Sequence, residues 1–419
     1  MLAVILGLGA AVGVNAQVAA AGADPSKLAD LLAEAERNNP EIRAAHQEWQ
    51  SMQQVPTQAA TLPDPVASIQ QVNVGSPRPF AGFTNSDFSY IGLGVSQDFP
   101  YPGKLKLRSD LAKKEAEIAE QKVGALQRNI LGDLKMVYFR IAFLAKQSAI
   151  LEGDRELLGQ MEQAAEVKYR SGMGNQQEVL QAQLEKTKLL REITANRLEA
   201  QKLQAQMKQL VGRPQASPDI VAEDMQESAV ARSFDELVAA AQANNPQLSA
   251  AQKVIDRQNV AIEIAKKDFY PDFNAQFMWQ RTDPSQYRAY YQFTVGARIP
   301  IYRKKKLQPE LAQAEIDKSR AQSELEAQSQ GISSTLRQEY AVAEQSAELL
   351  KIYRDGLLPQ ARAELQAGFA AYQSNRQDFQ ALLASFLDVL KLDEEYWQTL
   401  SEHEAAMGQM EELTGTTLR

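Results

Sequence analysis

The residue types that usually do chemistry are scarce in this chain and poorly placed for it. There is no cysteine among the 419 residues, which removes disulfides, thiolate metal sites and a cysteine nucleophile. The two histidines, His46 and His403, lie far apart, and neither has a second histidine at the three- or four-residue spacing of a helical metal pair. A packed or solvent-facing helical histidine is the simpler expectation. Met407 and Met410 fall on one helix face, where methionine ordinarily fills core space. No glycine-rich phosphate loop follows a strand pattern. Neither an enzyme nor a cofactor is expected, and no metal site. The net charge of -8 with no sustained basic face argues against a nucleic-acid binder. What charge chemistry remains is local. Two carboxylates, Glu178 and Asp378, each follow a stretch of turn formers, and two cation clusters, Lys104, Lys106, Arg108 and Arg303, Lys304, Lys305, Lys306, each follow a proline.

Those clusters belong to a chain written twice. "LLAEAERNNPEIRAA" (31–45) reappears as "LVAAAQANNPQLSAA" (237–251), and "SQDFPYPGKLKLRSDLA" (96–112) as "ARIPIYRKKKLQPELA" (297–312). "YRSGMGNQQEVLQA" (169–182) aligns with "FAAYQSNRQDFQAL" (369–382), with Gln177-Glu178 facing Gln377-Asp378. The order is kept and the offset stays near 200, so a large unit is duplicated in tandem. Ahead of it, "AVILGLGAAVGV" (3–14) is too short to span a bilayer as a helix but suits a signal-peptide core, with cleavage near Ala16. The expected layout is a signal peptide over 1–16, a first repeat over 26–213, a linker over 214–232 and a second repeat over 233–413.

Each unit reads as helix, two strands, a very long helix, a turn and a long helix. In 269–280, Phe269, Phe273, Ala275, Phe277 and Trp279 alternate with Tyr270, Asp272, Asn274, Gln276 and Gln280. In 288–299, Tyr291, Phe293 and Val295 alternate with Tyr290, Gln292 and Thr294. Period-two alternation predicts strands with one polar and one apolar face. The strands are expected at about 63–75, 88–99, 269–281 and 288–300, the first being the least regular. Their length suits a tilted membrane strand, and Phe273, Phe277, Trp279, Tyr291 and Phe293 are candidates to face lipid. Four strands cannot close a barrel, and lipid tolerates no open edge, so a membrane barrel would have to be shared among subunits. The long helices are expected at about 104–170, 176–211, 304–368 and 376–413. Ile130, Leu134, Val137, Ile141 and Leu144 step 4-3-4-3, a coiled-coil seam. Pro359 requires a kink or local break.

With this duplicated plan, "NNP" twice, "FPYPGKL" at a strand end and "Y..G....EVL.A" at the long turn, the sequence resembles the TolC family of outer-membrane efflux channels. The wording of "SQDFPYPGKLKLR" is most similar to the branch that works with heavy-metal and related resistance–nodulation–division (RND) pumps. The resemblance implies a mostly α-helical chain with a small membrane β-barrel. Three copies would give a homotrimer with a 12-stranded barrel continuous with a long periplasmic α-helical barrel, embedded among outer-membrane lipids. It implies a passive exit duct fed by a periplasmic adaptor and an inner-membrane RND-type pump. An ABC transporter of a type I protein secretion system is the alternative partner, and a non-conducting periplasmic coiled-coil scaffold the alternative of another class. The turns would form the periplasmic tip, with Gly172, Met173, Gly174, Asn175, Ser374 and Asn375 at the adaptor-docking end. Asp378 and its aligned counterpart Glu178 would form an acidic ring at the aperture. The family's second tip carboxylate is Ala381 here. The basic cluster, unfavourable at a helix start because of the dipole, would lie beside phospholipid headgroups at the membrane boundary.

Overall fold

A computed structural model describes residues 26–73, 89–282 and 289–418. The expected signal segment and most of the two strand-connecting loops lie outside the described residues. The first half contains α1 (Leu28–Asn38), α2 (Pro40–Met52), α3 (Val55–Ala60), β1 (Val66–Val72), β2 (Tyr90–Phe99), α4 (Lys104–Arg170) and α5 (Gln176–Val211). The second contains α6 (Phe234–Asn244), α7 (Pro246–Lys267), β3 (Asp272–Thr282), β4 (Tyr290–Arg298), α8 (Gln308–Ile352), α9 (Leu358–Gln373) and α10 (Phe379–Thr414). The strand β3 starts at Asp272, so Phe269 and Tyr270, expected within it, instead lie in the turn that leaves α7.

The opening helix of each half is broken at "NNP", and the break does structural work. The Asn39 side chain accepts from the backbone N–H groups of Glu41 and Ile42 at 2.8 and 3.2 Å, and its amide donates to the Leu210 carbonyl at 2.8 Å. Asn245 repeats this, accepting from Gln247 and Leu248 and donating to the Leu413 carbonyl at 3.0 Å. One buried asparagine thus starts a helix, worth about 1 kcal/mol, and satisfies a carbonyl at the end of the returning helix. Each returning helix ends in a left-handed glycine, Gly212 (φ 81°) and Gly415 (φ 65°).

At ~1.5 Å per residue, the 67-residue α4 is on the order of 100 Å long. Its seam residues Ile130, Leu134, Val137, Ile141 and Leu144 are all buried. The segment aligned with it is not one helix. A π turn at Arg303–Leu307 precedes Pro309, and a second at Tyr353–Leu357 precedes Pro359. Proline lacks an N–H and its ring crowds the carbonyl four residues back. Widening the preceding turn moves the hydrogen-bond frame past it, and Leu358 N–H bonds Tyr353 O instead. The linker is pinned across the first core: Tyr138 bridges the Ser26 carbonyl and the Glu223 N–H. His403 is fully buried, its Nε2 2.7 Å from the Ser228 carbonyl, and the Glu404 carboxylate accepts from Ser228 N–H and Oγ.

The four strands form one antiparallel sheet in the order β1-β2-β3-β4. Register sets Trp279 between Leu93 and Tyr291, Phe277 between Val95 and Phe293, and Leu93 opposite Ile69. The large apolar side chains on this face are exposed, Tyr291 to 71% and Phe293 to 63%. The other face carries Ser68, Gly92, Gly94, Gln276, Met278, Gln280, Gln292 and Thr294. There Met278 and Gln280 are buried, because Gly92 and Gly94 leave them room. A Cβ on Gly92 would come within 3.2 Å of both side chains. The outer edges of β1 and β4 have no strand beside them among the described residues. No helix of the described residues is long and apolar enough to cross a membrane.

Candidate functional site

Two helical hairpins turn around at the end of the long helices farthest from the sheet. At the first, α4 ends at Arg170, and the Lys168 carbonyl accepts from the N–H groups of Met173 and Gly174 at 2.9 and 3.1 Å. Gly172 takes φ 73°. A Cβ on Gly174 would sit 3.0 Å from the Lys168 Cβ, so the reversal is tight as well as left-handed. Asn175 then caps α5 by accepting from the Glu178 N–H at 3.2 Å. At the second, α9 ends at Gln373, and the Ala371 carbonyl accepts from Arg376 N–H at 2.9 Å. Asn375 takes φ 57°, and Asp378 caps α10 by accepting from Ala381 N–H at 2.7 Å. Gly172, Met173, Asn175, Ser374, Asn375 and Asp378 are all exposed, and Gly174 is half-buried.

This geometry corrects the alignment of the two turns. The left-handed residues Gly172 and Asn375, and the caps Asn175 and Asp378, are each 203 positions apart. The structural counterpart of Asp378 is therefore Asn175, and that of Glu178 is Ala381. Glu178 lies inside the first turn of α5 and is half-buried. Its carboxylate accepts from the Tyr372 hydroxyl at 2.8 Å, which ties the first hairpin to the second. Tyr372 is buried, meets Phe379 edge-on at 5.6 Å, and has the Lys168 ammonium 3.8 Å from its ring centroid. The Lys168 ammonium also donates to the Tyr372 carbonyl. Burial and the Glu178 carboxylate, in that order, push the Tyr372 hydroxyl pKa far up. Tyr372 and Lys168 were not singled out in the sequence. The repeated pattern Tyr-x-Ser at 169–171 and 372–374 was the available signal.

Below this tip, α4, α5, α9 and α10 pack through Leu158, Met161, Leu189, Leu365, Leu382 and Phe386. Asp154 borders that core with one carboxylate oxygen buried and without a hydrogen-bond partner among the described residues. Burial raises its pKa to about 6; the Asp393 carboxylate adds to this and Arg362 opposes it.

At the opposite end, where strands become helices, the two cation clusters have different surroundings. Lys104 is expected at the headgroup surface, but it is buried, 3.1 Å from Asp268 and 2.9 Å from Asp272. The reason is covalent geometry: Gly103 at φ 92° turns the chain so that the first helical side chain points inward, onto the start of β3. Lys106 and Arg108 remain exposed, as do Arg303, Lys304, Lys305 and Lys306. Phe273, Phe277, Trp279, Tyr291 and Phe293 share the exposed apolar face of the sheet. Among the described residues no three His, Asp or Glu side chains gather as a metal site would require.

Among curated proteins no sequence match is found. A family model described as outer membrane efflux protein matches residues 31–213 and 237–409. The chain belongs to the outer membrane efflux protein family. It is an outer-membrane channel protein with an efflux role, not an enzyme. Three solved structures are similar in fold. The outer-membrane channel OprN superposes with a TM-score of 0.81 at 16% identity, covering 93% of this chain and 90% of that one. CusC gives 0.77 at 16%, covering 94% and 92%. The outer membrane protein VceC of Vibrio cholerae gives 0.78 at 17%, covering 94% and 97%. The mostly helical chain with four antiparallel strands is the TolC-like fold.

Proposed function

We propose that this chain is one subunit of a homotrimeric exit duct that passively conducts substrate expelled by an inner-membrane pump through a periplasmic adaptor. The observation that carries this is the sheet. Among the described residues it has two unpaired edges, one exposed apolar face and one polar face, and β2 leads through a short turn into α4, on the order of 100 Å long. A sheet of this kind is stable in lipid only if other copies close its edges. Phe273, Phe277, Trp279, Tyr291 and Phe293 then meet lipid, and Gln276, Gln292 and Thr294 face a hydrated lumen.

The tip is the adaptor-docking end, through Gly172, Met173, Gly174, Asn175, Ser374 and Asn375. Asp378 is the candidate carboxylate of the aperture, because Glu178 is committed to Tyr372. An RND-type pump is the favoured partner on the wording at 96–108. An adaptor and proton-driven pump beside the gene would support this, and an ABC transporter with its protein substrate would favour the secretion role. The sheet assignment is tested by Phe277→Lys against Gln276→Lys. The first is expected to cost about 2–4 kcal/mol of membrane stability near the midplane and to abolish membrane-extracted trimer, while the second leaves it. Equal trimer yields would sink the assignment.

A further inference from the structure

The four cations that follow β4 differ from the others near the strand–helix boundary. Arg303, Lys304, Lys305 and Lys306 stand exposed in one π turn. None has an ion-pair partner among the described residues, and Arg303 makes a single hydrogen bond, to the Phe269 carbonyl at 3.3 Å. Lys104, by contrast, is neutralised by Asp268 and Asp272, and Lys253 and Arg257 further along α7 by Glu117 and Glu115. Four consecutive residues of a helical turn project in different directions around its axis, so the cations ring this turn instead of lying in one row.

The residues just before the turn are of the opposite character. The apolar row Tyr291, Phe293, Val295 runs on past the strand end to Ile299 and Ile301, with Tyr302 beside it. Ile299, Ile301 and Tyr302 are 64%, 73% and 69% exposed. The change from apolar to cationic takes place within three residues, Ile301 to Lys304, where the chain leaves the sheet and enters the π turn. A cleft of ≈ 600 Å³ opens here, lined by Tyr270, Ile299, Tyr302, Lys306 and Glu310 above the Lys104–Asp272 pair. Glu310 is the one carboxylate on this surface that no lysine neutralises among the described residues.

We infer that residues 299–306 form a docking surface for anionic glycerophospholipid, with acyl chains against Ile299, Ile301 and Tyr302 and the headgroup phosphate on Arg303 to Lys306. This rests on the proposal that the apolar sheet face meets lipid. Each cation near an anionic surface strengthens association roughly fivefold, so losing three predicts a loss of up to about a hundredfold.

The assembled protein in neutral detergent is titrated with fluorescent phosphatidylglycerol and, separately, phosphatidylcholine, with oligomeric state followed by light scattering. The triple variant Lys304→Gln/Lys305→Gln/Lys306→Gln is expected to lose phosphatidylglycerol affinity tenfold or more, with phosphatidylcholine affinity unchanged. The corresponding triple Lys→Arg variant is expected to retain both, and Lys188→Gln/Lys202→Gln on α5 to change neither. Unchanged phosphatidylglycerol affinity in the Gln triple overturns the inference. Displacement by inorganic phosphate as effective as by unlabelled phosphatidylglycerol overturns it in favour of a soluble-anion site. Loss of the oligomer with lipid affinity per chain unchanged overturns it in favour of a contact between copies. Conductance in an uncharged bilayer is read on the same samples: its loss in the wild type counts against the duct, not against the lipid surface.

Discussion

The turn at 171–175 and the turn at 374–378 run through the same backbone states, yet their tyrosines have opposite fates. Tyr372 is buried and holds Glu178; Tyr169, its counterpart 203 positions earlier, is 46% exposed and touches no carboxylate among the described residues. The same contrast recurs along the whole duplication. Backbone joints are kept in both copies: the asparagines at 39 and 245, the left-handed glycines at 212 and 415, the capped reversals at the tip. Side-chain partners are not. A duplicated chain keeps what only a few residue types can do, such as positive φ and a buried cap, and is free to vary what many can do.

Substitutions made in pairs test this division, and the largest effect is expected at the joints. A Cβ on Gly212 would lie 2.6 Å from the Asn38 carbonyl oxygen, a backbone atom that cannot step aside. At Gly415 the obstacle is the Arg128 guanidinium, on a flexible side chain. Gly212→Ala is expected to destabilise by about 3 kcal/mol and Gly415→Ala by about 1–2, read as denaturant midpoints at constant slope. Equal losses would mean that Arg128, which also donates to the Asn244 carbonyl at 2.8 Å, is as immovable as backbone.

Next in size is the tyrosine pair. Tyr372→Phe leaves Glu178 half-buried without its donor, at a cost of about 1–2 kcal/mol, and is expected to speed amide hydrogen exchange over 168–178. Tyr169→Phe is expected to change nothing. If both variants loosen the tip, Tyr169 has a partner in the assembled protein and the asymmetry between halves is only that of the single chain.

The smallest effect concerns Asp154, whose counterpart 203 positions on is Leu357. The native pKa of about 6 lies above the ordinary aspartate value of 3.8, so the folded chain holds this proton when the unfolded chain has released it. Wild-type stability from this group therefore falls as pH rises from about 4 to about 6. Asp154→Asn cannot ionise; it is expected to stabilise by about 1 kcal/mol at pH 7.5, after discounting for partial exposure, and by nothing near pH 4. A gain independent of pH would show that the buried oxygen, not its charge, is what costs stability.

Much of the architecture was legible because it depends on period. Alternation exposes strand faces, and the 4-3-4-3 steps at 130–144 expose a seam that the structure buries in full. The site was harder to read. Matching the turns on Gln-Glu and Gln-Asp pairs side chains with different jobs, Glu178 holding Tyr372 and Asp378 capping α10, whereas the constraint lies in the backbone of Gly172 and Asn375. Lys104 looked like the other cations because Asp268 and Asp272 are more than 160 positions away in sequence. His403 gave no sign that it would grip a linker carbonyl, since Ser228 belongs to a stretch with no period at all. The pairing of distant chain segments is a tertiary fact that local pattern does not encode.

If copies close into the proposed trimer, the outer edges of β1 and β4, unpaired among the described residues, carry a genetic consequence. A copy with a spoiled edge would still have one sound edge, so it could join normal copies and leave the proposed ring unclosed. In a cell expressing both forms, such an allele would poison mixed assemblies, and its defect would be dominant. A lesion confined to the tip or to Asp154 leaves both edges intact, so it would not block ring closure in this way.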